Sequence, residues 1–166
     1  MKHQEKKYRV DSFNEIEKRL LEKGAIKGNE KTTSHYYADL SGNDVAKLVS
    51  KTDRCEIHIL KELDGKFTLT ESIPTNDVES GLQWLRDKGY TKVSKVKMIN
   101  TNYEYKEGII GLYIINDFLY SVILDFPEGL HESIEKEFDL ESSEVISLPY
   151  NKYLLQKGEL DLIHLN

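Results

Sequence analysis

The sequence has little of what marks a secreted, membrane or disulfide-bonded protein. Its single cysteine, Cys55, has no partner for an internal disulfide, which favours a reducing compartment. No apolar run approaches the about 20 residues that a transmembrane helix needs. Residues 1–5 are polar and lack the apolar core of a signal peptide. We therefore expect a cytoplasmic protein without a membrane partner.

The composition indicates an ordinary folded domain. The chain has 166 residues, of which 39% are hydrophobic and 31% are charged. The formal net charge of -6 argues against a nucleic-acid binder, which needs a basic surface, although an acidic protein can still hold an anion in a local basic cavity. No linker or low-complexity tract interrupts the chain, so we predict one domain over residues 1–166.

The first strand has an unusual ionisable face. Residues 2–10 alternate in a way that predicts a strand, and its odd-numbered face carries His3, Glu5, Lys7 and Arg9. Such a face is typical of a solvated edge strand. It also suits a strand that lines a wet interior.

Helix and turn signals divide the rest of the chain. Ser12 and Glu15 have the spacing of a capping box, and Gly24 ends the helix that they would begin. Further helices are predicted to open over residues 74–77, to begin at residue 127 and to cover residues 149–156. Turns are predicted at 39–44, at the Asp-Gly pair 64–65 and at the Asn-Asp pair 116–117.

Many short strands alternate with these helices. The strand pattern occurs at 2–10, 32–38, 54–61, 67–72, 92–100, 103–105, 109–115 and 118–126. Several of these strands have a polar face opposite an apolar one, as in a barrel with a polar interior. We predict an α+β fold: an antiparallel β-barrel or tunnel of about eight strands with flanking helices.

This order of elements resembles the CYTH family, the triphosphate-tunnel proteins named for class IV adenylyl cyclases and thiamine triphosphatases. The resemblance covers nearly the whole chain. It is carried by His3-x-Glu5-x-Lys7, His35-Tyr36-Tyr37-Ala38, Val93-Ser94-Lys95-Val96-Lys97 and the closing segment 147–155.

The chain departs from the family pattern at several charged positions. Glu56 and His58 stand where the family has two arginines, and Ser72 stands where it has a lysine. Ala38 replaces an aspartate, unless Asp39 takes that role. In the late strand, residues 120–124 match an acidic motif but carry no carboxylate; a register shift of one residue would bring Asp125 to that face.

The resemblance implies a site for a triphosphate and a divalent metal. It implies Glu5 and Lys7 as catalytic residues, Glu5 also as a ligand of Mg²⁺ or Mn²⁺, and Lys7, Arg9, Lys95 and Lys97 as phosphate-binding residues. The ordinary interpretation of Lys95 and Lys97 is a solvated strand face. His3, Glu56 and His58 would be additional polar groups of the tunnel; histidines are more often structural than catalytic.

Three functions follow from this pattern. The first is a metal-dependent phosphohydrolase acting on a triphosphate-containing small molecule, such as a nucleotide or inorganic triphosphate, with an adenylyl cyclase as the weaker variant. The second is a non-catalytic relative that binds an anionic ligand or a protein partner. The third is a tunnel refitted for another small substrate. The sequence does not fix the oligomeric state, and a homodimer is compatible with it.

Overall fold

The computed structural model describes residues 2–38, 44–64 and 66–165. Within these ranges the chain forms eleven strands and four α-helices. In chain order they are β1 His3–Val10, α1 Asn14–Glu22, β2 Ile26–Lys27, β3 Lys31–Ala38, β4 Asp44–Ser50, β5 Cys55–Leu63, β6 Lys66–Thr75, α2 Val78–Asp87, β7 Lys92–Tyr105, β8 Gly108–Ile115, β9 Leu119–Pro127, α3 His131–Glu137, β10 Glu144–Ile146, α4 Tyr150–Lys157 and β11 Asp161–His164. A 3-10 turn, Glu128–Leu130, precedes α3.

The predicted fold class is confirmed: the chain is α+β, with antiparallel strands and flanking helices. The described residues hold more strands than the about eight predicted. None of the helices among them is both long and apolar enough to cross a bilayer.

The residues cluster into two compact units. The first unit contains Met1–Lys31 and Met98–Pro149, and the second contains Thr32–Lys97 and Tyr150–Asn166. Strand β7 contributes residues 92–97 to the second unit and 98–105 to the first. The single domain expected from the sequence stays a prediction.

The first unit is a sheet covered on one face by α1 and α3. Its strands lie in the order β10-β1-β9-β8-β7, with β2 also paired to β7. One face carries an apolar core that includes Tyr8, Leu124 and Phe126 from the strands, packed with Leu20 of α1 and Ile134 of α3. Because side chains alternate along a strand, the residues between these core positions lie on the opposite face.

Three tyrosines of this core donate their hydroxyl groups to glutamates of the covering helices. Tyr8 donates to Glu135 at 2.5 Å, Tyr103 donates to Glu17 at 2.7 Å, and Tyr105 donates to Glu137 at 2.9 Å. Each tyrosine therefore buries its ring and keeps its polar end hydrogen-bonded to a carboxylate.

The second unit has strands β3, β4, β5 and β6 in that order, with β11 paired to the start of β7. Its core combines Leu48 of β4 and Ile57 of β5 with Leu85 of α2, Val93 of β7 and Leu165. The predicted 64–65 hairpin is the connection between β5 and β6; Asp64 has a φ of 53°, and residue 65 lies outside the described ranges.

The capping box predicted for α1 is wrong. The helix begins at Asn14, its N-cap residue is Phe13, and no side chain caps it. The second helix, predicted to open over residues 74–77, begins at Val78, because the Asp77 side chain accepts a hydrogen bond from the Ser80 amide and caps the helix there.

Several strands differ from the prediction. The segments 92–100 and 103–105 form one continuous strand, β7, and β4 was not predicted. Of the predicted 39–44 turn, residues 39–43 lie outside the described part of the chain, as does the alternative role of Asp39. The Asn116-Asp117 turn is confirmed, with φ values of 51° and 65°.

Candidate functional site

A polar face forms on the first unit, opposite its core. Directly opposed residues of neighbouring strands share a face, and Glu5 pairs with Asp125 while Lys7 pairs with Ile123. Arg9 pairs with Ser121. We call this surface the polar face of the first unit; it comprises His3, Glu5, Lys7, Arg9, Asn100, Asn102, Gly111, Tyr113, Ser121, Ile123 and Asp125.

The late strand adopts the register shifted by one residue. Val122 and Leu124, which align with the acidic positions of the sequence motif, are fully buried in the core. Asp125 instead lies opposite Glu5, and its Oδ1 atom is 3.2 Å from Nδ1 of His3. The structure therefore places Asp125 opposite Glu5 and within hydrogen-bonding distance of His3 at one end of the polar face.

Two cationic side chains lie beside this acidic pair on the same face. Lys7 is half-buried and donates a hydrogen bond from Nζ to the Leu148 carbonyl at 2.8 Å. Burial lowers the pKa of the Lys7 ammonium group, and the Glu5 carboxylate opposes that shift. Arg9 is also half-buried, with Ser121 and Glu144 as its strand-pairing neighbours.

Tyr113 faces the same surface from β8. Burial raises the pKa of its phenol, and the negative charge of Glu5 raises it further. Gly111 leaves space beside it: a Cβ there would lie 2.6 Å from Cε1 of Tyr113 and 2.9 Å from Oδ1 of Asn102. The Tyr113 ring therefore packs directly over position 111, which only a residue without a side chain allows.

The neighbouring lysine has a different environment. Lys6 lies on the core side of β1 and donates to Glu135 at 2.6 Å, the same carboxylate oxygen that accepts from Tyr8. The hydrogen bonds from Lys6 and Tyr8 hold the pKa of Glu135 below its usual range, although burial acts in the opposite direction. Lys6 and Lys7 thus have separate roles despite being adjacent.

The donor set at the end of the face suits a hard cation with few protein ligands. Among the described residues, no three His, Cys, Asp or Glu side chains form a group that could hold a metal ion. Glu5 and Asp125 nevertheless present carboxylates on directly opposed positions. Mg²⁺ keeps several waters and is often bound through only one or two carboxylates, so this pair fits Mg²⁺ or Mn²⁺ better than zinc.

The second unit has a polar cluster of its own. The Glu56 carboxylate lies 2.9 Å from Nε2 of His58 and accepts a hydrogen bond from the Ser72 hydroxyl at 3.3 Å. The Nε atom of Arg54 lies 3.7 Å from Oε1 of the same Glu56 carboxylate. The hydrogen bond with His58 is the main cause that lowers the pKa of Glu56, so this carboxylate is ionised near neutral pH.

Two further residues join this cluster that sequence reasoning did not single out. Lys47 is the strand-pairing neighbour of both His58 and Tyr37, and its Nζ lies 5.4 Å from the Tyr37 ring centroid. The His35 ring stacks on Tyr37 with centroids 5.8 Å apart. Burial, together with the charges of Lys47 and His58, lowers the pKa of His35 to about 4.

Lys95 and Lys97 belong to the second unit. The Nζ atom of Lys95 lies 5.7 Å from the ring centroid of Tyr36, a core residue that is 7% exposed. Lys95 pairs with Asp161 of β11, and Lys97 is half-buried on β7. Their predicted role in binding phosphate together with Lys7 stays a prediction.

The chain is similar to several solved structures. It matches the PH1012 protein from Pyrococcus horikoshii with a TM-score of 0.67 and 16% identity, over 90% of this chain and 97% of that chain. It matches a proposed adenylate cyclase from Vibrio parahaemolyticus with a TM-score of 0.60 and 14% identity, over 93% and 97% of the two chains. It matches a proposed adenylate cyclase from Bacillus halodurans with a TM-score of 0.58 and 14% identity, over 92% and 98%.

No family model matches the chain, and no curated protein matches it. Because the structural matches cover nearly the whole of both chains, they establish the fold. Their sequence identity is low, so they establish nothing beyond the fold. The protein is an α+β protein with the fold of these solved structures. That fold is the CYTH fold, as its sequence resemblance predicted.

Proposed function

We propose that the polar face of the first unit binds a small molecule carrying a triphosphate group, together with Mg²⁺ or Mn²⁺. One observation supports this most: Glu5 and Asp125 face each other on adjacent strands, and Lys7 and Arg9 follow on the same face. Side chains on one strand face repeat about every 7 Å. Acidic and basic groups are thus spaced along a line that suits a metal and a chain of phosphates.

Each side chain has a role in this proposal. Glu5 and Asp125 would hold the metal, and the His3 ring would orient Asp125 through the contact between its Nδ1 atom and the Asp125 carboxylate. Lys7 and Arg9 would bind phosphate oxygens, whereas a phosphate-binding role of Lys95 and Lys97, which lie on the second unit, stays a prediction from the sequence resemblance. A divalent metal supplies Lewis-acid charge stabilisation when it is bound.

The proposed reaction is hydrolysis of the triphosphate. Phosphoryl transfer depends mostly on positioning and charge stabilisation, and Lys7 next to Glu5 provides a cation beside a carboxylate for that purpose. Two of the similar structures are described as proposed adenylate cyclases, so nucleotide cyclisation is the other reaction that the same assay must separate.

Phosphorus NMR tests this function directly. The purified protein is mixed with tripolyphosphate, ATP or thiamine triphosphate, with Mg²⁺ and then with Mn²⁺. We expect metal-dependent turnover that is lost in Glu5→Gln and in Asp125→Asn. The matched control is Glu132→Gln, since Glu132 is a carboxylate with a side chain that is 85% exposed on α3.

The outcomes separate the alternatives. Release of phosphate or pyrophosphate without a cyclic product identifies a phosphohydrolase, whereas pyrophosphate with a cyclic nucleotide identifies a cyclase. Equal turnover in wild type and both site variants would indicate a contaminating phosphatase and contradict the proposal. No turnover and no line broadening of any triphosphate would also contradict it.

The cluster around Glu56 favours a second candidate, a CYTH-type protein refitted for another small substrate. Glu56 is ionised and bonded to His58 and Ser72, and a carboxylate repels a polyphosphate. A ligand with hydrogen-bond donors would suit this cluster better. A non-catalytic protein that binds an anionic ligand or a protein partner is the remaining alternative.

Saturation-transfer NMR with a panel of phosphates, carboxylates, amines and polyols distinguishes these candidates. The second candidate predicts binding of an amine or polyol that is lost in Glu56→Gln and unaffected in Lys7→Met. Binding of the triphosphates alone, lost in Lys7→Met, would exclude it.

A further inference from the structure

His131 connects the two strands that carry the acidic pair. It is the first residue of α3 and is 7% exposed. Its Nε2 atom lies 2.6 Å from the Gln4 carbonyl oxygen of β1 and 3.1 Å from the Phe126 carbonyl oxygen of β9. A carbonyl only accepts hydrogen bonds, so Nε2 carries the proton and donates to both strands.

The two carbonyls belong to residues adjacent to the carboxylates. Gln4 precedes Glu5, and Phe126 follows Asp125. Gln4 pairs with Phe126 in the ladder just as Glu5 pairs with Asp125. Because side chains alternate along a strand, His131 contacts this strand pair from the core side while the two carboxylates lie on the polar face.

The surroundings of His131 fix its tautomer and orientation. Its ring packs edge-on against the Phe126 ring, with centroids 6.3 Å apart and an interplanar angle of 85°. Its Nδ1 atom is buried and has no hydrogen-bond partner among the described residues. A proton on Nδ1 would therefore have no acceptor there, whereas a proton on Nε2 has two.

We infer that His131 is a positioning residue that sets the separation of the Glu5 and Asp125 carboxylates and thereby the strength of divalent-cation binding by this pair. This inference rests on the proposed function. The donor links backbone groups one residue from each carboxylate, so its loss releases both strands where the carboxylates are held. Groups that orient metal ligands in this indirect way typically contribute 10- to 100-fold in metal affinity.

The test compares two substitutions by their affinity for Mn²⁺, measured as free Mn²⁺ by electron paramagnetic resonance. His131→Gln keeps an N–H donor near the position of Nε2, and His131→Phe keeps the ring but has no donor. We expect about tenfold weaker Mn²⁺ binding in His131→Phe and a loss of less than about threefold in His131→Gln.

Ile134→Val controls for stability. Ile134 is a buried residue of the same helix, and its shortening weakens the core without removing a donor. If Ile134→Val weakens Mn²⁺ binding as much as His131→Phe does, the effect of His131 is merely structural and the inference is overturned. Equal affinities of wild type and His131→Phe would overturn it too.

A metal-free measurement separates this inference from the proposed function. The carboxyl ¹³C resonances of Glu5 and Asp125 report their environment without any metal. We expect both to move in His131→Phe and to return towards wild type in His131→Gln. If the wild type binds no Mn²⁺, the proposed metal role fails, and unchanged carboxyl resonances in His131→Phe would overturn the positioning role as well.

Discussion

Replacing Lys7 with methionine tests whether the polar face of the first unit is the triphosphate site. Methionine keeps an unbranched side chain in a half-buried position but removes the amino group. Lys7 lies on the same face as Glu5 and Arg9, and its Nζ atom is 2.8 Å from the Leu148 carbonyl. A phosphate oxygen that takes the place of that carbonyl as the acceptor exchanges a neutral partner for a charged one.

The size of the effect follows from this exchange. A hydrogen bond to a charged group contributes about 1.5–3 kcal/mol, and giving up a bond to a neutral carbonyl offsets about 1 kcal/mol. The net contribution of Lys7 is then about 0.5–2 kcal/mol, which corresponds to about 2- to 30-fold weaker binding of tripolyphosphate in Lys7→Met.

Isothermal titration calorimetry with tripolyphosphate and Mg²⁺ measures this loss, and Lys6→Met is the matched control. The control makes the same change of residue and charge one position away, but Lys6 bonds to Glu135 on the core side. At 0.15 M salt the Debye length is about 8 Å, so we expect less than about a twofold change in Lys6→Met. Equal losses in the two variants would refute the assignment of the face.

Three further substitutions test local features. Gly111→Ala should lower the free energy of unfolding by about 1–3 kcal/mol in urea, because its Cβ would lie 2.6 Å from Tyr113; Gly129→Ala, with nothing within 4 Å, should not, and equal losses would contradict the argument. The pKa of His35 is about 4 in the folded state and 6.5 in the unfolded state, so the unfolded state takes up the proton first as the pH falls. The free energy of unfolding is therefore unaffected by this group above pH 6.5 and decreases as the pH falls towards 4. Between pH 7 and pH 5 the wild type should lose about 2 kcal/mol more than His35→Gln in urea unfolding, and parallel losses would contradict this. Tyr8→Phe should lower the free energy of unfolding, measured by thermal unfolding, by about 1 kcal/mol, because Glu135 loses the tyrosine hydroxyl but keeps its hydrogen bond from Lys6. No change would show that the hydroxyl bond contributes nothing to stability.

The sequence was sufficient to predict the polar face of β1 but not the register of β9. On β1 the ionisable residues alternate with Tyr8 and Val10, so the period of two assigns them to one face. On β9 the residues Val122, Ile123 and Leu124 are apolar on both faces. Only pairing with β1 shows that Asp125 lies beside Glu5.

Errors at the ends of elements have similar physical causes. Residues 101–102 lie between two predicted strands, but Asn102 lies on the polar face of the first unit, where a polar side chain is compatible with a continuous strand. The Ser12–Glu15 spacing suggested a cap, but helix α1 begins one residue later than a Ser12 cap requires, with Phe13 at the N-cap position.

Histidines 35 and 131 show what the sequence could not provide. His131 belongs to none of the segments that carry the resemblance, and His35 entered only as part of the segment 35–38. The importance of each depends on burial among segments that are far apart in the chain. His131 contacts the Gln4 carbonyl, 127 residues away in sequence. A buried donor of this kind can be found only once the partner carbonyls have been located.

The tyrosine–glutamate hydrogen bonds of the first unit imply that its helix layer is sensitive to acid. Hydrogen bonds, partly offset by burial, hold the pKa values of Glu135 and Glu137 below the usual 4.5. Carboxylates with depressed pKa values contribute stability above their unfolded-state pKa, and this contribution is lost as the pH falls through the folded-state values. Acid would therefore loosen α3 from Tyr8 and Tyr105. An acid-expanded form would keep its strand ladders while its helical cover detaches, and the core face of the sheet would then bind a hydrophobic dye.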